Sequence, residues 1–389
     1  MKLIYGALGP GEHQKRNMIL WSIFLIVFSR LIFYGVFLGY EYLTGAEVGF
    51  WDALNKWDAG WYTKLTLNGY ETGPIPEGDL SAQTNWAFFP LMPMTIHFLY
   101  TIFGGNLYVI VGITMSAVSV GILVLTFYYF QETGRSLEQA VATQIFMAAG
   151  LYSFYFLIFY TEAFYLFFLL LTLYFLQKKK YIAMGISGAL LSATRNTGIM
   201  VVFAVAVKVI TDYFHKYKKW SVKSFFAETL GDWRLVLGTC LIPFGLFSFM
   251  FYLGKLMGDP LAFLHVQVGW GIEEKNAVSI LWEGLTSGNV AFLYMSLWAI
   301  AGIILLLYLF IEKRWEEAVL AVIFLVIPLS VRLNSIPRYL IGAGLFTFSA
   351  GDFLRKRAGK GMVVAILVLS ILGNMWLLNQ WFVGKDWLT

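Results

Sequence analysis

The sequence predicts an all-α, polytopic membrane protein of about eleven transmembrane helices (ten to twelve), with re-entrant or interfacial helices in its first external loop. Three observations predict it. The 389 residues are 59% hydrophobic and only 13% charged, too few polar groups to cover a soluble domain of this length. Apolar segments recur near 18–42, 107–130, 138–158, 163–177, 181–194, 197–214, 235–256, 291–311, 316–333, 338–353 and 361–383. The basic residues fall between these segments in a pattern that a single orientation explains.

Taken in order, the polar start with Lys15 and Arg16 precedes a long apolar run, which reads as an uncleaved signal anchor. The loop 43–106 follows. Within it, 86–103 is apolar but carries Pro90 and Pro93, which forbid a regular helix before them. Parity decides its course. If it stays at one side, the N-terminus is cytoplasmic, and 178–180 (KKK), 216–219 (KYKK), 313–314 (KR) and 355–360 (RKRAGK) are all cytoplasmic. Loops on that side then hold 18 of the 28 Lys and Arg. A full crossing would turn every later basic loop outward. Several later segments are shorter than the ~20 residues of a crossing, as half-depth helices shielded by protein would be. The whole chain, 1–389, reads as one integral membrane domain. Its extracytoplasmic loops are 43–106 and 257–290, and its C-terminus is external. The stretch 269–278, GWGIEEKNAV, reads as ordinary loop.

Cys240 is the sole cysteine, so no disulfide framework or Cys-type metal site forms. The four histidines offer no HxxxH pair, and only His265 falls in a candidate site region. Nothing in the sequence points to nucleic acid as a partner.

The topology places an unusual set of polar residues at the outer face: Asp58, Glu162, Arg195, Asn196, Gln267, Arg332 and Arg338, with Trp270 beside them. Burying a charge in lipid costs ~2.5–3.5 kcal/mol on insertion scales, so charged residues gather in a cavity or pair with each other. The two carboxylates suit proton transfer, and the three arginines suit phosphate oxygens. Trp57, Trp61, Tyr62 and Trp270 offer faces for a sugar ring or an anchor at the headgroups. A carboxylate base beside phosphate-binding arginines is what group transfer from a lipid phosphate needs. Taken singly, Trp57–Tyr62 could be an interfacial anchor, Glu162 a helix cap and Arg332 a snorkelling cation. Arg30, in mid-span, would pair with a carboxylate or line a polar cavity, and carries no assigned role.

WDAGWY (57–62), followed by Gly69-Tyr70 and FFPLMP (88–93), resembles the first-loop series of the PIG-V family of membrane mannosyltransferases. FYTEAF (159–164) and ATRNTG (193–198) resemble its later elements, the second with Asn196 and Thr197 in a different order. Gln267 with Trp270, and Pro337 with Arg338, look like weaker family positions. Met92 stands where the family often has Tyr. The resemblance spans about 51–340, and with its short chain and small loops the sequence resembles a prokaryotic member, which implies a prokaryotic plasma membrane. It implies a GT-C-like fold and an inverting glycosyltransferase that moves a hexose, most closely mannose, from a polyprenyl-phosphate sugar. The acceptor is a hydroxyl of a lipid-linked or extracytoplasmic glycan. Asp58 matches the base, and no metal or other cofactor is implied. Arg195, Arg338 and Arg332 would meet the donor phosphate. Trp57, Trp61, Tyr62, Glu162, Asn196, His265, Gln267 and Trp270 would line the substrates. Two alternatives stay open: a transporter or flippase of lipid-linked sugars, and a transferase of the same fold for another sugar. The absence of a visible internal repeat disfavours the first.

Overall fold

The computed structural model describes residues 12–72, 83–267, 276–330 and 336–388. It is built from helices: α1 Glu12–Thr44, α2 Phe50–Leu54, α3 Asp58–Asn68, α4 Leu91–Phe103, α5 Leu107–Glu132, α6 Leu137–Ala149, α7 Glu162–Gln177, α8 Tyr181–Ser192, α9 Val201–Tyr217 and α10 Val222–Gly231. They continue as α11 Trp233–Leu241, α12 Phe244–Met257, α13 Ala262–His265, α14 Ala277–Thr286, α15 Val290–Ile311, α16 Trp315–Leu329, α17 Ile336–Gly342, α18 Leu345–Arg357 and α19 Lys360–Val383. Among the described residues there is no strand.

Among the described residues, six helical stretches are long and apolar enough to cross a membrane: Arg16–Thr44, Leu107–Glu132, Asn196–Tyr217, Trp233–Met257, Val290–Ile311 and Lys360–Val383. The protein is therefore a helical, polytopic membrane protein. The other expected spans are present as shorter helices. The expected span 138–158 is helical only to Ala149, and 338–353 breaks between α17 and α18. A 13-residue helix such as α6 is ~20 Å long, against a hydrocarbon core of about 30 Å. Such helices survive because their neighbours enclose them: α6 packs among α1, α5, α18 and α19, and α7 between α5 and α8.

The segment 86–103 holds a short turn and then α4. α4 has 13 residues and spans only ~20 Å. Its start donates from the Leu91 amide to the Ala193 carbonyl (3.1 Å), and its end runs into α5, where Tyr108 meets Thr63 of α3 (3.3 Å). Both ends thus lie with α3 at one end of the bundle. The basic loops assemble at the other: Lys178 with Glu132, Lys179 with Asp212, Lys216 with Glu228, Lys356 with Glu312, and Arg314 on the Thr133 carbonyl.

Residues 150–161 are irregular yet buried, so their backbone groups need partners inside the protein. The Leu151 amide donates to Ser370 Oγ (3.0 Å), and the Phe159 amide to Asn55 Oδ1 (2.8 Å). The Phe156 carbonyl accepts from Ser119 Oγ (3.0 Å) and from Arg30 Nη2 (3.3 Å). This gives Arg30 its partners: two serines of α5, Ser116 and Ser119, and the carbonyl of the break.

α8 and α11 touch backbone to backbone. A Cβ on Gly185 would stand 2.3 Å from the Gly238 carbonyl oxygen, and one on Gly238 2.2 Å from that of Tyr181. Small residues permit this approach. Gly238→Leu is expected to force the helices apart and to cost ~1–3 kcal/mol. The check is the thermal midpoint of the detergent-solubilised protein, and an unchanged midpoint would refute this packing.

Candidate active site

The described residues between α3 and α4 fold back on themselves. Asn85 receives the Glu71 amide on Oδ1 (3.1 Å) and donates to the Gly69 carbonyl (3.0 Å). Trp86 Nε1 donates to the Glu71 carbonyl (2.8 Å), and Tyr70 Oη to that of Phe88 (2.7 Å). Phe88 then lies against Tyr62, ring centroids 4.9 Å apart, and stacks on Trp61 at 5.9 Å. The two aromatic runs of the sequence are thus one structure, which presents Asp58, the first residue of α3.

Asp58 enters an ion-pair chain. Arg338 Nη1 donates to Asp58 Oδ2 (2.9 Å), and Arg338 Nε to Glu162 Oε1 (2.6 Å). Arg195 Nη2 donates to the same Glu162 Oε1 (2.6 Å), and its Nε to Thr161 Oγ1 (2.6 Å). Glu162, at the start of α7, is fully buried, while the Asp58 side chain is 28% exposed. Glu162 therefore holds both guanidinium groups. Gly342 leaves room for it: a Cβ there would stand 2.8 Å from Glu162 Cγ. The Arg338 guanidinium lies over the Tyr160 ring at 4.3 Å, and Arg195 over Tyr339 at 5.4 Å. The two carboxylates and two guanidinium groups cancel in formal charge.

These groups border a cavity of about 340 Å³. Asp58, Tyr62, Arg195, Asn196, Gln267 and Arg338 give it a polar side. Ile323, Phe324, Ile327 and Pro328 of α16 give it an apolar wall, with Phe89 and Phe263. Gln267 Nε2 is tied to the Phe263 carbonyl (3.2 Å). Among the described residues, no group of three or more His, Cys, Asp or Glu gathers as metal ligands would.

Three other residues singled out in the sequence stand away from the cavity. Trp57 packs against Trp381, ring centroids 4.5 Å apart. Trp61 is taken up by Phe88 and by the Lys64 ammonium at 4.9 Å. His265 is exposed and pairs with Asp259 (2.7 Å). Arg332 and Trp270 lie outside the described residues. Sequence reasoning missed Tyr160, Thr161 and Tyr339, although Thr161 and Tyr339 each adjoin a charged residue that it singled out and Tyr160 lies two residues before Glu162. It had no signal for the α16 wall, whose Ile and Phe residues look like any membrane core.

No family model matches the chain, and no curated protein matches it. Among solved structures it is similar to the oligosaccharyltransferase of Archaeoglobus fulgidus. Against the apo form it is 10% identical with a TM-score of 0.49, covering 95% of this chain and 56% of that one. Against the complex with an inhibitory peptide and a dolichol-phosphate, the values are 13%, 0.47, 93% and 55%. The chain spans about half the length of these structures. Likenesses this distant assign neither a family nor a reaction.

Proposed function

We propose that the protein is an inverting glycosyltransferase of GT-C type that moves a hexose from a polyprenyl-phosphate sugar to an acceptor hydroxyl at the extracytoplasmic face. The observation that carries this is the placement of Asp58 at the polar side of a cavity that also has an apolar wall, beside a buried and a half-buried arginine that share Glu162. A lipid phosphate needs both surfaces, one for its charge and one for the start of its tail. Mannose as the sugar rests on the resemblance of the first-loop series alone.

In the proposed step, the acceptor oxygen attacks the anomeric carbon and its proton passes to Asp58. The bond from that carbon to the phosphate oxygen breaks, and the electron pair leaves with polyprenyl phosphate. A single displacement inverts the anomeric configuration. The leaving group is already a stable anion, so no acid is required to protonate it. The ion-pair chain supplies the charge when it is needed. At rest Arg338 is balanced by Asp58 and Glu162. Once Asp58 takes the proton it no longer balances Arg338, and the arginine's charge becomes available to the departing phosphate. Glu162 positions the arginines.

The test is a panel of polyprenyl-phosphate hexoses given to the purified protein in vesicles, with a total lipid extract supplying acceptors. Release of polyprenyl phosphate with one donor, fastest with mannose, is expected. Silence with every donor, together with binding of a lipid-linked oligosaccharide, would replace this reading with that of a transporter.

A further inference from the structure

The turn that carries Asp58 is strained. Trp57 has φ 50° and ψ −114°, a left-handed backbone that a bulky side chain rarely adopts. Strain of this kind costs ~1–3 kcal/mol and persists only where surrounding contacts impose it, most often at functional positions. The contacts that impose it here come from the far end of the chain. Trp381, in the last turn of α19, is completely buried. The edge of its ring meets the Trp57 ring at 4.5 Å, and its Nε1 donates to the Leu54 carbonyl (2.9 Å). Next to it, the Phe382 carbonyl accepts from Lys56 Nζ (2.7 Å). The turn between α2 and α3 is therefore tied to α19 at Leu54, at Lys56 and at the Trp57 ring itself. Trp381 also packs on Tyr160 at 5.8 Å. Tyr160 receives the Asp58 amide on its hydroxyl (3.3 Å), and its ring lies beneath Arg338.

We infer that the end of α19 is a clamp that sets the position of Asp58. Trp381 is its positioning residue, and Lys56 supplies its second tie. Trp381 touches neither the cavity nor the ion pairs. It acts on both partners of the Asp58–Arg338 pair, on one through the Trp57 turn and on the other through the Tyr160 ring. A base must be held within a fraction of an ångström, and a misplacement of ~1 Å can cost on the order of 10²-fold in rate.

This inference rests on Asp58 being the base, and its test separates the two. Trp381→Phe keeps most of the ring and removes the N–H. Lys56→Met cuts the other tie at a partly exposed position. Phe348→Leu is the control: it is equally buried, but packs on Tyr129 and Phe130 at the opposite end. With polyprenyl-phosphate mannose as donor, Trp381→Phe and Lys56→Met are each expected to lower kcat on the order of 10-fold. Donor KM should stay within about twofold, since the donor contacts remain. Phe348→Leu should lower the thermal midpoint and leave kcat intact. If Trp381→Phe does not fold, Lys56→Met decides alone. A kcat for the clamp variants no lower than that of Phe348→Leu overturns the clamp. So does a loss that appears in KM alone. An Asp58→Asn protein as active as wild type would remove the base assignment instead. An inactive Asp58→Asn beside fully active clamp variants would remove the clamp and leave the base in place.

Discussion

Asp58→Asn is expected to lower sugar transfer by ~10²–10⁴-fold, the usual contribution of a positioned general base. The substitution keeps the side chain's shape and leaves an oxygen that can still accept from Arg338. Arg338 also retains Glu162 as a partner (2.6 Å), so the fold should survive the change. The measurement is kcat in the donor assay, beside the thermal midpoint of the same preparation. Asp52→Asn is the control, because Asp52 lies on the preceding short helix and is exposed. A folded Asp58→Asn protein with wild-type kcat would end the assignment. A loss confined to KM would show that Asp58 binds substrate and takes no proton.

Glu162→Gln carries the largest expected effect on stability. Two guanidinium groups converge on one oxygen of a fully buried carboxylate. Without that charge they repel each other, and removing one partner of a buried ion pair costs about 3–5 kcal/mol. The variant should express poorly or melt well below wild type. The double variant Glu162→Gln with Arg195→Gln removes the repulsion, so it should be more stable than Glu162→Gln alone. That positive coupling in a double-mutant cycle separates an electrostatic role from simple packing. Additive changes in thermal midpoint would show that the two residues do not act on each other.

A second buried network stands at the opposite end of the bundle. Arg135 donates to Glu317 (2.6 Å) and to Asp352 (2.6 Å), and Tyr129 donates to Glu317 (2.7 Å). It ties the α5–α6 turn to α16 and α18. α16, which carries the apolar wall, and α18, which follows the helix of Arg338, are therefore anchored far from the cavity, which favours a site held by a rigid frame. Arg135 reads in the sequence only as one more basic residue of an inner loop.

The composition and the spacing of apolar runs by themselves determined the class of this protein, because a chain so poor in charge has no other stable solvent than lipid. Basic-residue counting grouped loops that the structure does bring to one end. It could not separate six long helices from the shorter ones, since a half-depth helix enclosed by protein is as apolar as one that spans. For the site, the cost of burying charge made Asp58, Glu162, Arg195 and Arg338 conspicuous before any coordinates. Only the tertiary structure decided what each does. It gave Glu162 to the two arginines, Arg30 to the carbonyl of a broken helix, Trp57 to Trp381 and His265 to Asp259. Apart from His265 with Asp259, those pairings join residues far apart in the chain, as do Asp58 with Arg338 and Leu54 with Trp381. A residue's type sets the energy of leaving it unpaired, and so shows where a site must exist. The identity of its partner depends on which helices pack side by side, and no local pattern in the sequence encodes that.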